Sequence, residues 1–189
     1  MAEILQFLKN YKTDSFNKGE ILFAENELCE YVGFIKSGSI KISSYFENGR
    51  EVIYNIVDKG GIFGANLIFS SSPYFRGDVV AQEKSEIYLI NKQELKKLLK
   101  EEDAFLEAYL KIQSDFSKQL NLSIKLLTFN NAYDKLMYYL DLNHGKISYK
   151  SITDLANRLY LTRESLSRII HKLSNKQIII LKNKTIVKI

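Results

Sequence analysis

The sequence predicts an α+β protein: an antiparallel β-roll of jelly-roll type, then a long helix, then a winged helix-turn-helix. Three patterns support this prediction. Short β-branched and aromatic runs alternate with turn residues from residue 11 to residue 91. An apolar repeat at helical spacing covers residues 103–128. Two short amphipathic segments and a basic hairpin pattern follow at residues 151–189, in the order that a winged helix-turn-helix requires.

The N-terminal half predicts one short helix followed by strands. Residues 2–10 place Ile4, Leu5 and Leu8 on one side of a helix. Strands are predicted at residues 31–35, 39–45, 51–57, 79–81 and 86–90. Turn residues separate these runs, and Asn48-Gly49 between two alternating segments is the strongest hairpin signal. Many short antiparallel strands at this spacing are typical of a barrel or roll.

The pattern changes to helical spacing at Asn91, which is placed to cap a short helix with Glu94 at the capping-box position. The long helix over residues 103–128 carries an apolar stripe at steps of four and three, as in the seam of a helical dimer. The predicted seam comprises Phe105, Tyr109, Ile112, Phe116, Leu120 and Ile124. The alternative is that the stripe packs only on its own chain. A further helix over residues 131–142 and a connection over residues 143–150 complete this part.

The last segment predicts two capped helices and a basic wing. Ser151 and Thr162 are placed as N-caps, and Leu166, Ile169, Ile170 and Leu173 form the buried side of the second helix. The side chains predicted to contact DNA bases are Arg163, Glu164 and Arg168. Those predicted to contact the DNA backbone are Thr162, Ser165, Lys172, Lys182 and Lys184. The alternative is a helical hairpin with a solvated charged face.

Charge is distributed unevenly along the 189 residues. Residues 130–189 hold 11 Lys and Arg against 4 Asp and Glu, and the preceding residues hold 16 against 18. A basic C-terminal third on a near-neutral body is typical of a nucleic-acid-binding module, so double-stranded DNA is the predicted partner. The sequence has no signal-peptide pattern and no apolar run of the roughly 18–20 residues that span a bilayer, which predicts a cytoplasmic protein without membrane partner.

Two stretches resemble the Crp/Fnr superfamily of bacterial transcription regulators, and the likeness extends over nearly the whole chain. The first covers residues 18–23, Lys-Gly-Glu-Ile-Leu-Phe, and continues through residues 31–42. The second covers residues 161–170, Leu-Thr-Arg-Glu-Ser-Leu-Ser-Arg-Ile-Ile, with the wing at residues 184–187. Tyr160 departs from the small residue or glycine that many relatives have in the turn.

The resemblance implies a division into three parts. Residues 1–100 would form a cyclic-nucleotide-binding-type sensory roll, residues 101–129 a dimerisation helix, and residues 130–189 the DNA-binding domain. It also implies a homodimer that regulates transcription at a palindromic site, with RNA polymerase as a further partner if the protein is an activator. In relatives, the residues that match Arg163, Glu164 and Arg168 contact bases.

The effector that the resemblance implies is not supported by the residues. Cyclic-nucleotide binders of the family have Gly-Glu where this chain has Gly64-Ala65, and an Arg-Ser pair where Arg76 is followed by Gly and then Asp78. The candidate effector pocket comprises Gly64, Ala65, Arg76 and Asn121. Arg76 with Asp78 is predicted to be a surface pair rather than a phosphate clamp. The sequence therefore predicts a regulator with no effector or with one that its residues do not identify. The alternative is a cyclic-nucleotide-responsive regulator.

The residues argue against a metal cofactor and against catalysis. Cys29 is the single cysteine, so one chain has no cysteine cluster for an iron–sulfur centre. Haem is unsupported because His144 and His171, the only histidines, both follow the roll. Residues 11–91 contain no histidine, which opposes the alternative of a cupin-like oxygenase, since that enzyme needs two His and a carboxylate inside its barrel. The protein is predicted not to be an enzyme.

Overall fold

The computed structural model describes residues 2–189 and has the predicted α+β architecture. The chain forms two compact units, Met1–Asp115 and Phe116–Ile189. The boundary between the units falls inside one long helix. The sequence predicts boundaries near residues 100 and 129 instead, and these stay predictions. No helix in the described part of the chain is long and apolar enough to cross a membrane.

The first unit contains two four-stranded antiparallel sheets, ordered β1-β8-β3-β6 and β2-β7-β4-β5. It begins with helix α1 (Ala2–Gln6) and ends with helix α2 (Lys92–Glu101) and the first half of helix α3 (Asp103–Thr128). The strands are β1 (Asp14–Phe16), β2 (Ile21–Phe23), β3 (Tyr31–Ser37), β4 (Ser39–Tyr45), β5 (Glu51–Asp58), β6 (Ile62–Phe63), β7 (Asp78–Ala81) and β8 (Ser85–Asn91).

The five predicted strands are confirmed to within two residues at each end. The Asn48-Gly49 hairpin is also confirmed: β4 and β5 pair antiparallel, and Gly49 takes a positive φ of 77°. The sequence did not predict β1, β2 and β6, because they have only two or three residues and too few positions to show an alternating pattern.

Aromatic side chains form much of the roll's core. Phe23 stacks on Phe75 with ring centroids 4.8 Å apart, and Phe34 and Phe105 are fully buried in the same core cluster. Phe105 belongs to α3, so the first turns of this helix pack into the roll. Burial of several such side chains is worth about 1.5–3 kcal/mol each, which anchors the helix to the first unit.

This packing corrects the predicted dimer seam. Phe105, Tyr109 and Ile112 were assigned to the seam, but the structure buries all three in the roll's own core. They are unavailable to a second chain because their apolar surface is already covered. The later members of the stripe differ: Phe116 is 40%, Leu120 62% and Ile124 54% exposed.

The second unit is helical with a small sheet, and its core holds Leu136, Leu155, Leu166 and Ile186. The sheet has three antiparallel strands in the order β10-β11-β9. After α3 come α4 (Ala132–Leu142), β9 (Lys146–Ser148), α5 (Ile152–Arg158), α6 (Arg163–Asn175), β10 (Ile179–Lys182) and β11 (Thr185–Lys188). The predicted connection over residues 143–150 is therefore wrong in part, since its centre forms β9 and pairs with β11.

Candidate nucleic-acid interface

Helices α5 and α6 begin at the two caps that the sequence predicts. Ser151 Oγ accepts a hydrogen bond from the Asp154 amide at 3.1 Å, and Thr162 Oγ1 accepts one from the Ser165 amide at 3.2 Å. Each cap satisfies an amide that has no partner within its helix, and such a cap is worth about 1 kcal/mol. The caps therefore define where the two helices start.

Helix α6 has one buried and one exposed side. Leu166, Ile170 and Leu173 are at most 5% exposed and pack into the second unit's core. The opposite side repeats at helical spacing and is solvent-exposed. Its members are Arg163, Glu164, Ser167, Arg168, His171 and Lys172. We call this set the exposed stripe of α6.

The three predicted base-contacting residues all lie on the exposed stripe. Arg163, Glu164 and Arg168 form no ion pair within residues 2–189, so their charged ends are free to meet a ligand. Arginine presents a planar fork of donors that matches guanine O6 and N7, and a carboxylate accepts from cytosine N4. The stripe therefore offers donors and an acceptor on one helix face.

The candidate backbone contacts fall into two groups. Thr162 and Ser165 lie at the N-terminus of α6, where the Thr162 hydroxyl donates to Ser165 Oγ at 3.0 Å. A helix N-terminus attracts phosphate through its free amides and its dipole. The second group is the exposed lysines Lys172, Lys182 and Lys184, which supply positive charge without forming an ion pair in the described part of the chain.

The wing is a tight hairpin whose turn carries the two lysines. Lys182 pairs with Thr185, and both Asn183 and Lys184 have positive φ, at 46° and 56°. Positive φ at both central residues is the type I′ geometry, which fits the twist of a two-residue hairpin. Lys182 and Lys184 are thus placed at the tip of a two-stranded hairpin.

Arg158 links α5 to the third strand of the wing. Its guanidinium donates to Asp154 Oδ2 at 2.8 Å and to the Ser148 carbonyl at 3.1 Å. Burial alone would raise the pKa of the Asp154 carboxyl, but the Lys150 amide and Arg158 outweigh it and lower that pKa. Asp154 therefore stays ionised and holds Arg158 against β9. The sequence showed Asp154 only as a capping residue.

The turn between α5 and α6 contains two features that the sequence did not predict. Tyr160 takes a left-handed conformation with φ of 52°, which costs a residue other than glycine about 1–2 kcal/mol. Its carbonyl accepts a hydrogen bond at 3.1 Å from Nζ of Lys135, a lysine only 7% exposed. The only local signal in the sequence for the burial of Lys135 is its position next to Leu136 on the apolar side of α4.

The predicted effector residues are not brought together within one unit. Gly64 is buried, and an added Cβ would lie 2.7 Å from the Tyr31 carbonyl, so packing alone requires glycine here. Arg76 is exposed, and Asn121 is an exposed residue of the second unit. The predicted pair of Arg76 with Asp78 is wrong, because the two form no ion pair in the described part of the chain. Asp78 Oδ1 instead accepts from the Glu25 amide at 2.8 Å.

Ala65 is buried, and its carbonyl is already occupied by side chains of α3. Tyr109 Oη donates to it at 3.1 Å and Gln113 Nε2 at 2.8 Å. Burial is the main cause of a raised Tyr109 pKa, so this hydroxyl stays a donor at neutral pH. The turn that carries Gly-Glu in cyclic-nucleotide binders is therefore tied to α3 by this chain's own side chains.

Comparison with known proteins finds a matching domain family and similar transcription regulators. The cyclic nucleotide-binding domain family matches residues 13–102. The "Anaerobic regulatory protein" of Bacillus subtilis (strain 168) is 25% identical over 190 residues, which cover 94% of this chain and 80% of that protein. A transcriptional regulator from Thermotoga maritima is 30% identical, with a TM-score of 0.60 over 66% of this chain and 97% of its own.

The fold also matches at lower identity. The catabolite activator protein of Thermus thermophilus is 18% identical, with a TM-score of 0.57 over 100% of this chain and 90% of its own. The match to the Thermus thermophilus protein thus extends over both compact units of this chain. The chain belongs to the Crp/Fnr superfamily of bacterial transcription regulators.

Proposed function

We propose that this regulator acts as a homodimer that binds a palindromic site in double-stranded DNA and reads its sequence with α6. The observation that carries the proposal is the exposed stripe of α6, where Arg163, Glu164 and Arg168 face solvent without an ion-pair partner in the described residues. A helix with a free polar stripe and a fully packed opposite face suits insertion into the major groove.

The roles of the side chains follow from their chemistry. Arg163 and Arg168 bind guanine, and Glu164 accepts from cytosine. Thr162, Ser165, Lys172, Lys182 and Lys184 contact phosphates, which set the position of α6 but carry no sequence information. The free lysines at the wing tip support this division, because they are exposed and lie at a tight hairpin turn.

The dimer would use the second half of α3. Phe116, Leu120, Ile124 and Leu127 are 40–62% exposed and recur at steps of four and three, so they form an apolar stripe that residues 2–189 leave largely uncovered. A two-fold dimer would place its two α6 helices in successive major grooves about 34 Å apart. Such symmetry requires an inverted repeat in the DNA.

Selection from a randomised duplex pool tests the proposal, and an enriched inverted repeat is the expected result. On that duplex, Arg168→Ala should weaken binding by about 1–3 kcal/mol and relax the preference at one position of each half-site. The matched variant Lys182→Ala removes a charge from the wing and should weaken selected and scrambled duplexes alike. Equal losses on both duplexes for Arg168→Ala would contradict the base-reading role.

A cyclic-nucleotide response is the second candidate, and the match of the cyclic nucleotide-binding domain over residues 13–102 favours it. Ala65 opposes it, because alanine cannot hold a ribose hydroxyl and its carbonyl is taken by Tyr109 and Gln113. We expect calorimetric titration with cyclic AMP and cyclic GMP to show no binding. Saturable heat with either nucleotide would make this second candidate the better one.

A further inference from the structure

Lys135 is the only charged side chain among the buried residues of the part that the structure describes. Taking an ammonium out of water is costly unless a partner compensates it. The partner is the Tyr160 carbonyl, 3.1 Å from Lys135 Nζ. The hydrogen bond to the turn between α5 and α6 is therefore the interaction that compensates a buried lysine on the apolar side of α4.

The acceptor is a strained point of the backbone. Tyr160 follows the C-cap residue of α5, Leu159, and has the positive φ that glycine adopts readily. Its amide donates to the Asn157 carbonyl and the Leu161 amide to the Ala156 carbonyl, so the turn wraps back on α5. The Tyr160 carbonyl accepts no other hydrogen bond within residues 2–189.

We infer that Lys135 is a positioning residue for DNA recognition, because its ammonium holds Tyr160 in the left-handed turn and thereby sets the direction of α6. The inference rests on the proposed function. The backbone dihedrals of Tyr160 determine where the chain goes next, and α6 starts three residues later at Arg163. A positive charge at the C-terminal end of α5 also complements the dipole of that helix.

A direct DNA contact does not explain Lys135. The residue is 7% exposed and its Nζ is engaged with a backbone carbonyl, whereas a phosphate contact needs an exposed ammonium. Any effect of Lys135 on DNA affinity must therefore pass through the turn. Because glycine adopts a positive φ readily, Tyr160→Gly should reduce the loss of DNA affinity that removal of the lysine causes.

The test is a double-mutant cycle in the full chain with Lys135→Met, Tyr160→Gly and the double variant, and with Lys135→Arg as the conservative control. The probes are a labelled duplex that the wild-type chain selects from a randomised pool and a scrambled duplex of equal length. Lys135→Met should weaken binding to the selected duplex about tenfold but to the scrambled duplex by less than about twofold. Lys135→Arg should stay within about threefold of the wild type on both, since it keeps a charged donor.

In the Tyr160→Gly background, the loss from Lys135→Met should shrink to about threefold or less. Equal losses in both backgrounds, or equal losses on both duplexes, would overturn the inference. If Lys135→Met alone does not fold by circular dichroism, a folded double variant that binds the selected duplex supports the inference, and an unfolded double variant overturns it.

Amide hydrogen exchange separates this inference from the proposed function because it needs no DNA. The Leu161 amide should exchange faster in Lys135→Met than in the wild type and return toward the wild-type rate in the double variant. Unchanged exchange at Leu161 would overturn the role of Lys135 in the turn. A wild-type chain that selects no DNA sequence would instead overturn the proposed function.

Discussion

Cys29 is a buried thiol whose surroundings oppose its ionisation. The residue is 3% exposed, and its thiol lies near the carbonyls of Tyr31 and Gly64, at 3.4 and 3.6 Å. Burial raises the pKa of this thiol to about 11, and the nearby Tyr31 and Lys92 only partly oppose that shift. Since the thiolate is the reactive form, the folded protein should protect Cys29 from oxidation and alkylation.

Alkylation by iodoacetamide therefore provides a prediction, and the single cysteine makes the label unambiguous. At pH 8 a thiol of this pKa is about 0.1% ionised, against roughly a quarter for an ordinary cysteine. The native rate should thus be at least about a hundredfold below the rate in denaturant and should still be rising at pH 10. A native rate that levels off by pH 9 would show that burial does not control this thiol.

Residues whose structure depends on near neighbours were the ones that the sequence predicted well. Asn91, Ser151 and Thr162 cap their helices as predicted, because an N-cap needs only its own side chain and an amide two or three residues later. The contact between Tyr160 and Lys135 was not predicted, because it joins positions 25 residues apart. The place of Lys135 beside Leu136 on the apolar side of α4 is a local signal of burial, but it does not identify a distant carbonyl as the partner.

At the scale of elements, helix α3 combines two environments that a single apolar stripe concealed. Its boundaries were predicted correctly, since an unbroken helical repeat covers residues 103–128. The stripe itself does not reveal what covers each part of it. The roll covers the first part, Ile112 included, whereas Leu120 and Ile124 remain exposed. Covering surfaces come from distant parts of the chain, so periodicity alone could not divide the stripe.

Substitutions in the two parts of α3 should consequently have different effects. Ile112→Ala leaves a cavity in the roll's core and should lower the free energy of unfolding by about 2–4 kcal/mol in a urea titration. The double substitution Leu120→Lys with Ile124→Lys should leave the fold intact but convert the proposed dimer to a monomer in sedimentation equilibrium. A dimer that survives both lysines would place the interface elsewhere.

At the scale of the whole molecule, the two units differ in net charge more than the net charge of the whole chain suggests. The chain carries a net +5, yet residues 116–189 hold 13 basic against 4 acidic side chains, and residues 1–115 hold 14 against 18. The second unit is therefore the part that an anionic polymer attracts. Long-range attraction of this kind speeds encounter with DNA and weakens as salt screens it.

The salt dependence of DNA binding distinguishes local contacts from total charge. Lys184→Ala and Lys59→Ala each remove one exposed positive charge, so both variants have the same net charge, but Lys184 lies at the wing tip and Lys59 in the first unit. Lys184→Ala should reduce the slope of log affinity against log salt by about 0.9 for each copy that contacts a phosphate, hence about 1.8 in a dimer. Lys59→Ala should leave the slope unchanged, because counterions are released only where phosphates are contacted. Equal slopes for the two variants in anisotropy titrations would mean that net charge, and not the wing, governs the attraction.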